Sequence, residues 1–544
     1  MSRETPGASG TLPSVPGWDA YREWFEGRVR GGGREGLGIA LAHVVVGLVV
    51  FQLVRSLPYG AVPGGVILGN VLSILVLYAV VAPLSNPYLG WLREKWEESD
   101  ANKVLMVVGH VVVGFFLVGI ALGLSFNGQL STVRSVFFFT AVYAMMVLAL
   151  NLHWGYTGVF NIGVAGFMAV GVYTMAMLSS SPNPGPAGVP GLGLPLPIGI
   201  LGGVVAAAVV GLVAALPALR LRADYFAIVT VALSEIIRLT YNSQLFQEFT
   251  VAGVTTGTGG ATGISMPGNP IRLLFFESQQ PGADPALLGS VLFPIVRGLQ
   301  VQVIPPNSYL NTGLGWYVAL PAFTLDLAVQ PPVVIDFTYV FVLLAFVGVF
   351  YWLLRRVGNS PFGRVLKAIR EDEQVAQALG KDTRRFKIVA FMFGCGLMGL
   401  GGILWQGSQG FTNPGAFLPL QTFYIWIALI IGGAGSNTGS VLGGALFASL
   451  VWEGPTYVRR LVTNFVELGS APNTFLDAVA PLVAGEIIPF ASYVMSNIAS
   501  LRLVFVGVLL VYLMQRRPQG LLGHRKETAA TIALGRPTSG GDEE

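Results

Sequence analysis

Long runs of apolar residues, broken by short polar segments, dominate the pattern of this chain. A helix needs about 20 consecutive apolar residues to cross the hydrocarbon core of a bilayer, and several runs reach that length. Because the apolar positions are continuous and do not alternate with polar ones, the pattern favours helices over the strands of a membrane barrel. It predicts spans near residues 37–54, 64–82, 104–124, 135–153, 158–178, 196–217, 224–241, 335–354, 386–406, 422–433, 439–453 and 501–515.

These spans predict an all-α fold, a polytopic transmembrane helical bundle of about 10–12 spans. The segments 422–433 and 439–453 form either two spans or one re-entrant hairpin, with a re-entrant or broken helix near 432–439. The predicted organisation is a polar N-terminal tail (1–36), an extra N-terminal transmembrane block (37–130), a core (131–523) and a disordered C-terminal tail (524–544).

Composition supports a membrane protein and excludes several function classes. Hydrophobic residues make up 53% of the chain and charged residues 11%, whereas ordinary soluble domains carry about 25% charged residues. The single cysteine, Cys395, lies in an apolar run, and the four histidines are scattered, so we expect no disulfide framework, metal site or catalytic site. The basic residues flank apolar segments, which is typical of membrane topology and not of nucleic-acid binding.

One charged segment, residues 355–387, stands between two predicted spans and holds nine basic and four acidic residues. Positive charge concentrates in cytoplasmic loops of membrane proteins. Placing 355–387 in the cytoplasm also places Arg220, Arg222, Arg516 and Arg517 inside. The long segments 243–334 and 455–500 then become external loops.

The charged segment has helix signals of its own. Ser360 followed by Pro361 is typical of a helix start, Gly380 of a helix stop, and Asp382 or Thr383 of a second start that leads into the next span. Two interpretations stay open from the residues alone. The segment either fixes the topology as a solvated loop, or it docks onto a soluble cytoplasmic partner.

Four blocks of the sequence resemble a known family. They read SPFGRVLKAIREDEQVAQALG followed by RRFKIVAF, LNLHWGYTGVFNIGVAGFMAVGVY from Leu150, LRLRADYFAIVTVALSEIIRL from Leu219, and GFTNPGAFLPLQTFYIWIALIIGGAGSNTGSVLGGAL from Gly410. In this order they resemble the LivM-type permeases, the membrane subunits of branched-chain amino acid ABC importers. The resemblance covers most of roughly 135–450 and makes the core a LivM-like permease core.

The resemblance implies a multi-pass permease of the cell membrane that imports branched-chain amino acids and is not an enzyme. Its implied partners are a LivH-like permease subunit, two cytosolic ATP-binding subunits that hydrolyse ATP, an external substrate-binding protein and the lipid bilayer. No cofactor is expected in this chain. Permeases for urea or short amides share these motifs and remain an alternative, and an ATP-independent channel or secondary transporter is a more distant one.

By resemblance, the charged segment carries the loop that couples the permease to its ATPase. The residues expected at that contact are Arg364, Arg370, Glu371, Asp372, Glu373, Ala376 and Gly380. The family often has Glu-Ala-Ala-x-x-x-Gly here, whereas this chain has Gln374-Val375-Ala376-x-x-x-Gly380, so its acidic cluster stands one position upstream.

The remaining candidates are polar or small residues within apolar runs. A glycine-rich run is expected to allow close helix packing, with Gly435, Gly439 and Gly443 on one helix face, or to break a helix along a pathway. Its members are Gly432, Gly433, Gly435, Gly439 and Gly443. Asn151 and Asn161 are expected to hydrogen-bond between helices. Glu235 and Arg238 either neutralise each other or contact the charged groups of an amino acid.

Overall fold

The computed structural model describes residues 126–182, 189–218, 223–251, 253–278, 282–297, 300–304, 309–311, 317–319, 323–326, 329–465, 468–516 and 519–522. The predicted spans at 37–54, 64–82 and 104–124 lie outside the described residues, as do both predicted tails.

Helices make up most of the described chain. In chain order they are α1 (Phe126–Asn151, continued by a π-helical turn, Leu152–Tyr156), α2 (Val164–Ser179), α3 (Leu196–Ala218), α4 (Ala223–Asn242), α5 (Arg272–Phe275), α6 (Leu287–Arg297), α7 (Pro331–Asn359), α8 (Pro361–Glu371), α9 (Glu373–Ala378), α10 (Thr383–Gln406), α11 (Pro419–Gly432), α12 (Asn437–Leu446, continued by a π-helical turn, Phe447–Glu453), α13 (Gly454–Phe465), α14 (Phe475–Val479), α15 (Ile488–Ser496) and α16 (Ile498–Arg516). Every predicted span from 135 to 515 coincides with a helix. The all-α, polytopic prediction is therefore confirmed.

Five of the described helices are long and apolar enough to cross a membrane. They are Phe126–Tyr156, Leu196–Leu216, Pro331–Asn359, Thr383–Gln406 and Pro414–Gly432. Several shorter apolar helices are also present, and α2, for instance, has 16 residues. We therefore describe a multi-pass helical membrane protein.

The described chain divides into two compact units. Of the described residues, the first unit takes those up to 132 and those within 291–333 and 457–496, and the second unit takes those within 133–290 and 334–456 and those from 497 onward. The second unit contains the packed core, in which α2, α3 and α10 pack closely against one another.

Glycines set the close packing of these three helices. A Cβ placed on Gly171 of α2 would lie 2.6 Å from the Cα of Gly399 on α10, and one on Gly203 of α3 would lie 2.4 Å from the carbonyl oxygen of Gly171. Small residues let helix backbones approach this closely. In a bilayer the hydrophobic effect does not drive helices together, because lipid tails are apolar too, so such van der Waals contacts supply the association energy. Cys395 of α10 is buried and free in the same packing.

The predicted external segments are more structured than the sequence suggested. The sequence predicts an external loop at 243–334, but its described residues form the short helices α5 and α6 and seven short strands: β1 (Phe249–Val251), β2 (Val254–Thr256), β3 (Ile264–Ser265), β4 (Gln300–Ile304), β5 (Tyr309–Asn311), β6 (Tyr317–Ala319) and β7 (Phe323–Asp326). The antiparallel pairs are β1–β2, β4–β7, β5–β6 and β3 with β8 (Phe411–Thr412). With two to five residues each, they are too short to show an alternating pattern. Residues 455–500 are largely helical, as α13, α14 and α15.

The glycine-rich run forms a helical hairpin of the second unit, which confirms the predicted break near 432–439. Helix α11 ends at Gly432, and the chain turns through Gly433 and Gly435, whose φ angles are 101° and 87°. Ser436 then caps α12, its hydroxyl accepting from the amide of Gly439 at 3.0 Å. The two helices touch, since a Cβ on Gly443 would lie 2.1 Å from the carbonyl oxygen of Ala428. The prediction that Gly435 shares a helix face with Gly439 and Gly443 is wrong, because Gly435 lies in the turn, where its positive φ requires glycine.

Candidate functional site

The charged segment folds into two short helices at the end of α7. Ser360 caps α8, its hydroxyl accepting from the amide of Gly363 at 3.2 Å. Gly380 follows α9 with a φ of 76°, and Asp382 caps α10 by accepting from the amide of Arg385 at 3.2 Å. The sequence predicted these three signals but not the break between α8 and α9. There Asp372 leaves helical geometry and its carboxylate accepts from the amide of Gln374 at 2.9 Å.

The inner face of this segment is fixed to the membrane helices. Arg370 reaches back to the π-helical turn that ends α1, and its Nη1 donates to the carbonyl oxygen of Gly155 at 2.5 Å. Leu366 and Ile369 are buried on the same side of α8. Gly158, with a φ of 71°, lies against the Arg370 stem, where an added Cβ would come within 3.3 Å. The charged segment therefore rests on the end of α1 and is not a freely solvated loop.

The outer face is a small exposed surface that combines carboxylates with apolar groups, here called the loop tip: Glu371, Asp372, Val375, Leu379 and Gly380. Val375 is 55% exposed and Leu379 is 72% exposed. The loop tip thus presents two exposed aliphatic side chains beside two carboxylates.

The predicted contact residues divide between the two faces. Glu371, Asp372 and Gly380 lie on the loop tip, and Arg364 is exposed beside it on α8. Ala376 is only 2% exposed, so the structure moves it from the expected contact surface into the interior of the loop. Two charged residues also turn inward, since Arg370 binds Gly155 and the carboxylate of Glu373 pairs with Lys387 at 2.5 Å.

A chain of polar contacts continues from the Arg370 anchor to the glycine hairpin. Beside Gly155, the Tyr156 hydroxyl donates to Oδ1 of Asn437 at 2.9 Å. Nδ2 of Asn151 donates to the same oxygen at 3.2 Å. The amide of Gly435 in turn donates to Oδ1 of Asn151 at 2.7 Å. The charged segment, the end of α1 and the turn of the hairpin are thus joined by named hydrogen bonds, which we call the polar chain.

Asn161 ties a second set of helices together. Its Nδ2 lies 3.1 Å from Nδ1 of His153, while Nε2 of His153 lies 3.1 Å from the carbonyl oxygen of Phe391 on α10. Because a carbonyl oxygen only accepts, Nε2 carries the proton and Nδ1 accepts from the asparagine. The indole of Trp426 on α11 donates to the backbone oxygen of Asn161 at 2.8 Å. These bonds connect α1, α10 and α11.

Glu235 and Arg238 pair with each other on α4. The guanidinium donates twice to the carboxylate, from Nη2 at 2.5 Å and from Nε at 2.8 Å. This bidentate geometry occupies both groups, and the structure keeps them apart from the polar chain.

Tyr156 and Asn437 are members of the polar chain that the sequence reasoning missed. The signal for Asn437 was a polar residue within the predicted helix break near 432–439, where backbone groups freed from the helix need hydrogen-bond partners. Among the described residues, no cluster of three or more His, Cys, Asp or Glu side chains could hold a metal ion.

Comparison with known proteins places this site in a family. Residues 132–458 match the family described as "Branched-chain amino acid transport system / permease component". The chain belongs to this family. The LivM-type resemblance of its four blocks is confirmed.

The relatives it resembles are named as branched-chain amino acid permeases. The chain is 29% identical over 307 residues to the high-affinity permease protein LivM of Escherichia coli, covering 56% of this chain and 60% of that protein. It is 24% identical over 346 residues to a probable LivM protein of Methanocaldococcus jannaschii, covering 58% and 79%. The permease protein BraD of Pseudomonas aeruginosa matches at 24% identity over 163 residues, or 29% of this chain and 53% of that protein. No solved structure matches the chain.

Proposed function

We propose that this chain is the membrane permease subunit of an ABC importer that moves branched-chain amino acids across the cell membrane. The complete transporter also contains a LivH-like permease subunit, two cytosolic ATP-binding subunits and an external substrate-binding protein. ATP is hydrolysed by the partner subunits, and the 355–387 segment faces the cytoplasm. The observation that carries the proposal is the family match over 132–458, which includes the charged segment with its capped, anchored geometry.

In this proposal the loop tip docks onto an ATP-binding subunit. Leu379 and Val375 enter an apolar cleft, while Glu371 and Asp372 meet basic groups at its rim. Interfaces of this kind gain most of their stability from a few anchors that become fully desolvated. The two exposed aliphatic side chains fit that role better than Ala376, which is already buried within the loop.

The anchored face then carries motion into the membrane. When the ATP-binding subunits close, they displace α8 and α9 as a unit, because Arg370 and the buried Leu366 and Ile369 hold that unit against the end of α1. The polar chain passes the displacement to the turn between α11 and α12. Positive-φ glycines at Gly433 and Gly435 let this turn change its backbone angles at low cost.

The test reconstitutes the chain with its neighbouring permease, ATP-binding subunits and binding protein in vesicles. Uptake of radiolabelled leucine and of urea is measured with and without ATP. The variant is the double substitution Val375→Asp and Leu379→Asp, which introduces charge into the apolar anchors. Because desolvated anchors contribute about 2 kcal/mol or more each, ATP-dependent leucine uptake should fall at least about tenfold.

The matched control is Leu245→Asp. Leu245 is 77% exposed, close to the 72% of Leu379, but it follows the far end of α4. It should leave uptake unchanged. ATP-dependent uptake of urea and not of leucine would show that urea is the substrate. Uptake that persists without ATP would contradict the importer and indicate a channel or secondary transporter.

A further inference from the structure

An arginine lies against an aromatic cluster of the second unit. The Cζ of Arg502, on α16, stands 4.5 Å from the centre of the Trp452 ring. Tyr143 of α1 and Tyr424 of α11 pack around the same indole, with ring centres 6.1 Å and 6.0 Å away. The ring of Phe447 completes the cluster at 4.7 Å from Tyr143. We call these five residues the Arg502 cluster.

Two polar groups in this cluster have no hydrogen-bond partner among the residues that the structure describes. The Nε of Arg502 is buried without one, and so is the hydroxyl of Tyr143, whose residue is 0% exposed. Of the described residues, none forms an ion pair with Arg502, whereas Arg134, Arg238, Arg370 and Arg385 all pair with a carboxylate. Buried polar groups are almost always satisfied, so two unsatisfied ones in one cluster call for a specific explanation.

The position of the cluster fits a pathway between helices. Its side chains come from α1, α11, α16 and the π-helical turn Phe447–Glu453, and α16 packs against both α11 and that turn. Tyr143 lies near the middle of the span Phe126–Tyr156. Arg502 lies in the first turns of α16 (Ile498–Arg516), so the cluster reaches from the middle of α1 to the start of α16. Ionisable side chains packed between membrane helices are costly, are usually paired, and often mark a substrate pathway.

We propose that the Arg502 cluster binds the α-carboxylate of the transported amino acid. The guanidinium supplies parallel N–H donors that match a carboxylate, including the unused Nε. The Tyr143 hydroxyl supplies a further donor, and the rings of Trp452 and Phe447 offer an apolar surface to the substrate side chain. This site rests on the proposed function, and it deepens that function by requiring a substrate with a carboxylate, which urea lacks.

The rival explanation is structural. On this explanation, Arg502 anchors α16 through its cation–π contact with Trp452. The Tyr143 ring is buried for packing, and its hydroxyl has no role. The two explanations differ sharply for Tyr143→Phe. This change removes one oxygen that bonds to nothing, so a structural role predicts no effect, whereas a carboxylate site loses a donor.

The experiment measures leucine uptake, ATP hydrolysis and melting temperature for the reconstituted transporter with Tyr143→Phe or with Arg502→Gln. The matched control is Tyr173→Phe, because Tyr173 is equally buried with an unpartnered hydroxyl and packs against Tyr241 and Phe417. Loss of a hydrogen bond to a charged group corresponds to about a tenfold to hundredfold change. We expect the maximal leucine uptake to fall about tenfold in Tyr143→Phe and further in Arg502→Gln. Tyr173→Phe should match the unchanged protein, and hydrolysis and melting temperature should hold in Tyr143→Phe.

Equal uptake by Tyr143→Phe and the unchanged protein would overturn the carboxylate site while leaving the importer intact. So would a fall in uptake that follows the melting temperature in Arg502→Gln, because that is the signature of an anchor or of a bound lipid anion. If the unchanged protein moves urea and not leucine, the proposed substrate itself fails, and the carboxylate site fails with it.

Discussion

Two arginines of the second unit, Arg370 and Arg502, differ in how far their guanidinium groups are hydrogen-bonded. Arg370 is fully engaged, since it donates to the carbonyl oxygen of Gly155 and pairs with Glu371 at 2.5 Å. Arg502 lies over the face of Trp452, and its buried Nε has no hydrogen-bond partner among the described residues. The guanidinium of Arg370 is thus hydrogen-bonded within the protein, whereas the Nε of Arg502 remains available to a ligand.

This difference in hydrogen bonding bears on the role of each region. A satisfied polar cluster holds its elements in one arrangement, and removing a member leaves the others unpaired at a high cost. Polar groups without partners add nothing to stability through hydrogen bonds, but their donors stay available to a ligand. This contrast fits the two proposals above, in which the Arg370 region transmits force and the Arg502 cluster contacts the substrate. The following predictions test this contrast from the largest expected effect to the smallest.

Gly155→Val should damage the closed region most. A Cβ at this position would lie 2.0 Å from Oδ1 of Asn151 and 2.5 Å from the amide nitrogen of Gly435, so it breaks the bond between them. Overpacking and a broken buried bond together should lower the free energy of unfolding by about 3 kcal/mol. Unfolding in mixed detergent micelles measures this. Gly348→Val is the matched control, because nothing lies within 4 Å of its added Cβ, and an equal loss there would contradict the packing argument.

Arg370→Met should have the next largest effect. The substitution keeps the aliphatic stem and removes the donors to Gly155 and Glu371, which should cost about 2 kcal/mol of stability. The same unfolding measurement applies. Arg364→Met, on the exposed side of the same helix, should change stability by less than about 0.5 kcal/mol. If the two variants are equally stable, the contacts of Arg370 with Gly155 and Glu371 do not stabilise the protein.

Tyr156→Phe and Tyr143→Phe compare a bonded and an unbonded hydroxyl directly. Tyr156 donates to Asn437 at 2.9 Å, so its loss should lower stability by about 1 kcal/mol. The Tyr143 hydroxyl has no hydrogen-bond partner in the described part of the chain, so its removal should leave stability unchanged or slightly raised. Melting temperatures of the two variants in detergent give the answer, and destabilisation by Tyr143→Phe would show that its hydroxyl is structural.

Glu373→Gln should have the smallest effect. Its carboxylate pairs with Lys387 at 2.5 Å, but 41% of the side chain remains exposed, so solvent screens the pair. We expect a loss of about 0.5 kcal/mol or less that shrinks further at high salt. Uptake should stay within about twofold. Uptake lowered as far as by Val375→Asp with Leu379→Asp would instead place Glu373 on the docking surface.

Local signals explain why much of the charged segment could be predicted from the sequence. Ser360 with Pro361, Gly380 and Asp382 act on backbone groups within three residues of themselves, so the sequence around each is sufficient. The apolar runs predicted the helices from 135 onward for the same reason. The break at Asp372 was missed because apolar residues continue past it at helical spacing.

Long-range pairing explains what the sequence did not predict. Tyr156 meets Asn437 across 281 positions, and Asn151 meets it across 286, so no local pattern reports the polar chain. The inward turn of Ala376 depends on α8 and α9 packing together, and the displacement of Gly435 from its expected helix face depends on where Ser436 caps α12. Arg502 lay within a predicted span, but its lack of a partner is visible only once the surrounding helices are assembled.

The most direct test of the account measures ATP hydrolysis and leucine uptake together in the same vesicles, for the unchanged protein and for Arg370→Met. The account predicts that the variant still assembles and hydrolyses ATP but transports at least about tenfold less leucine per ATP, because the anchor that carries the motion is gone. If the amount of leucine moved per ATP is the same in both proteins, the charged segment does not transmit motion through Arg370, and the central claim is wrong.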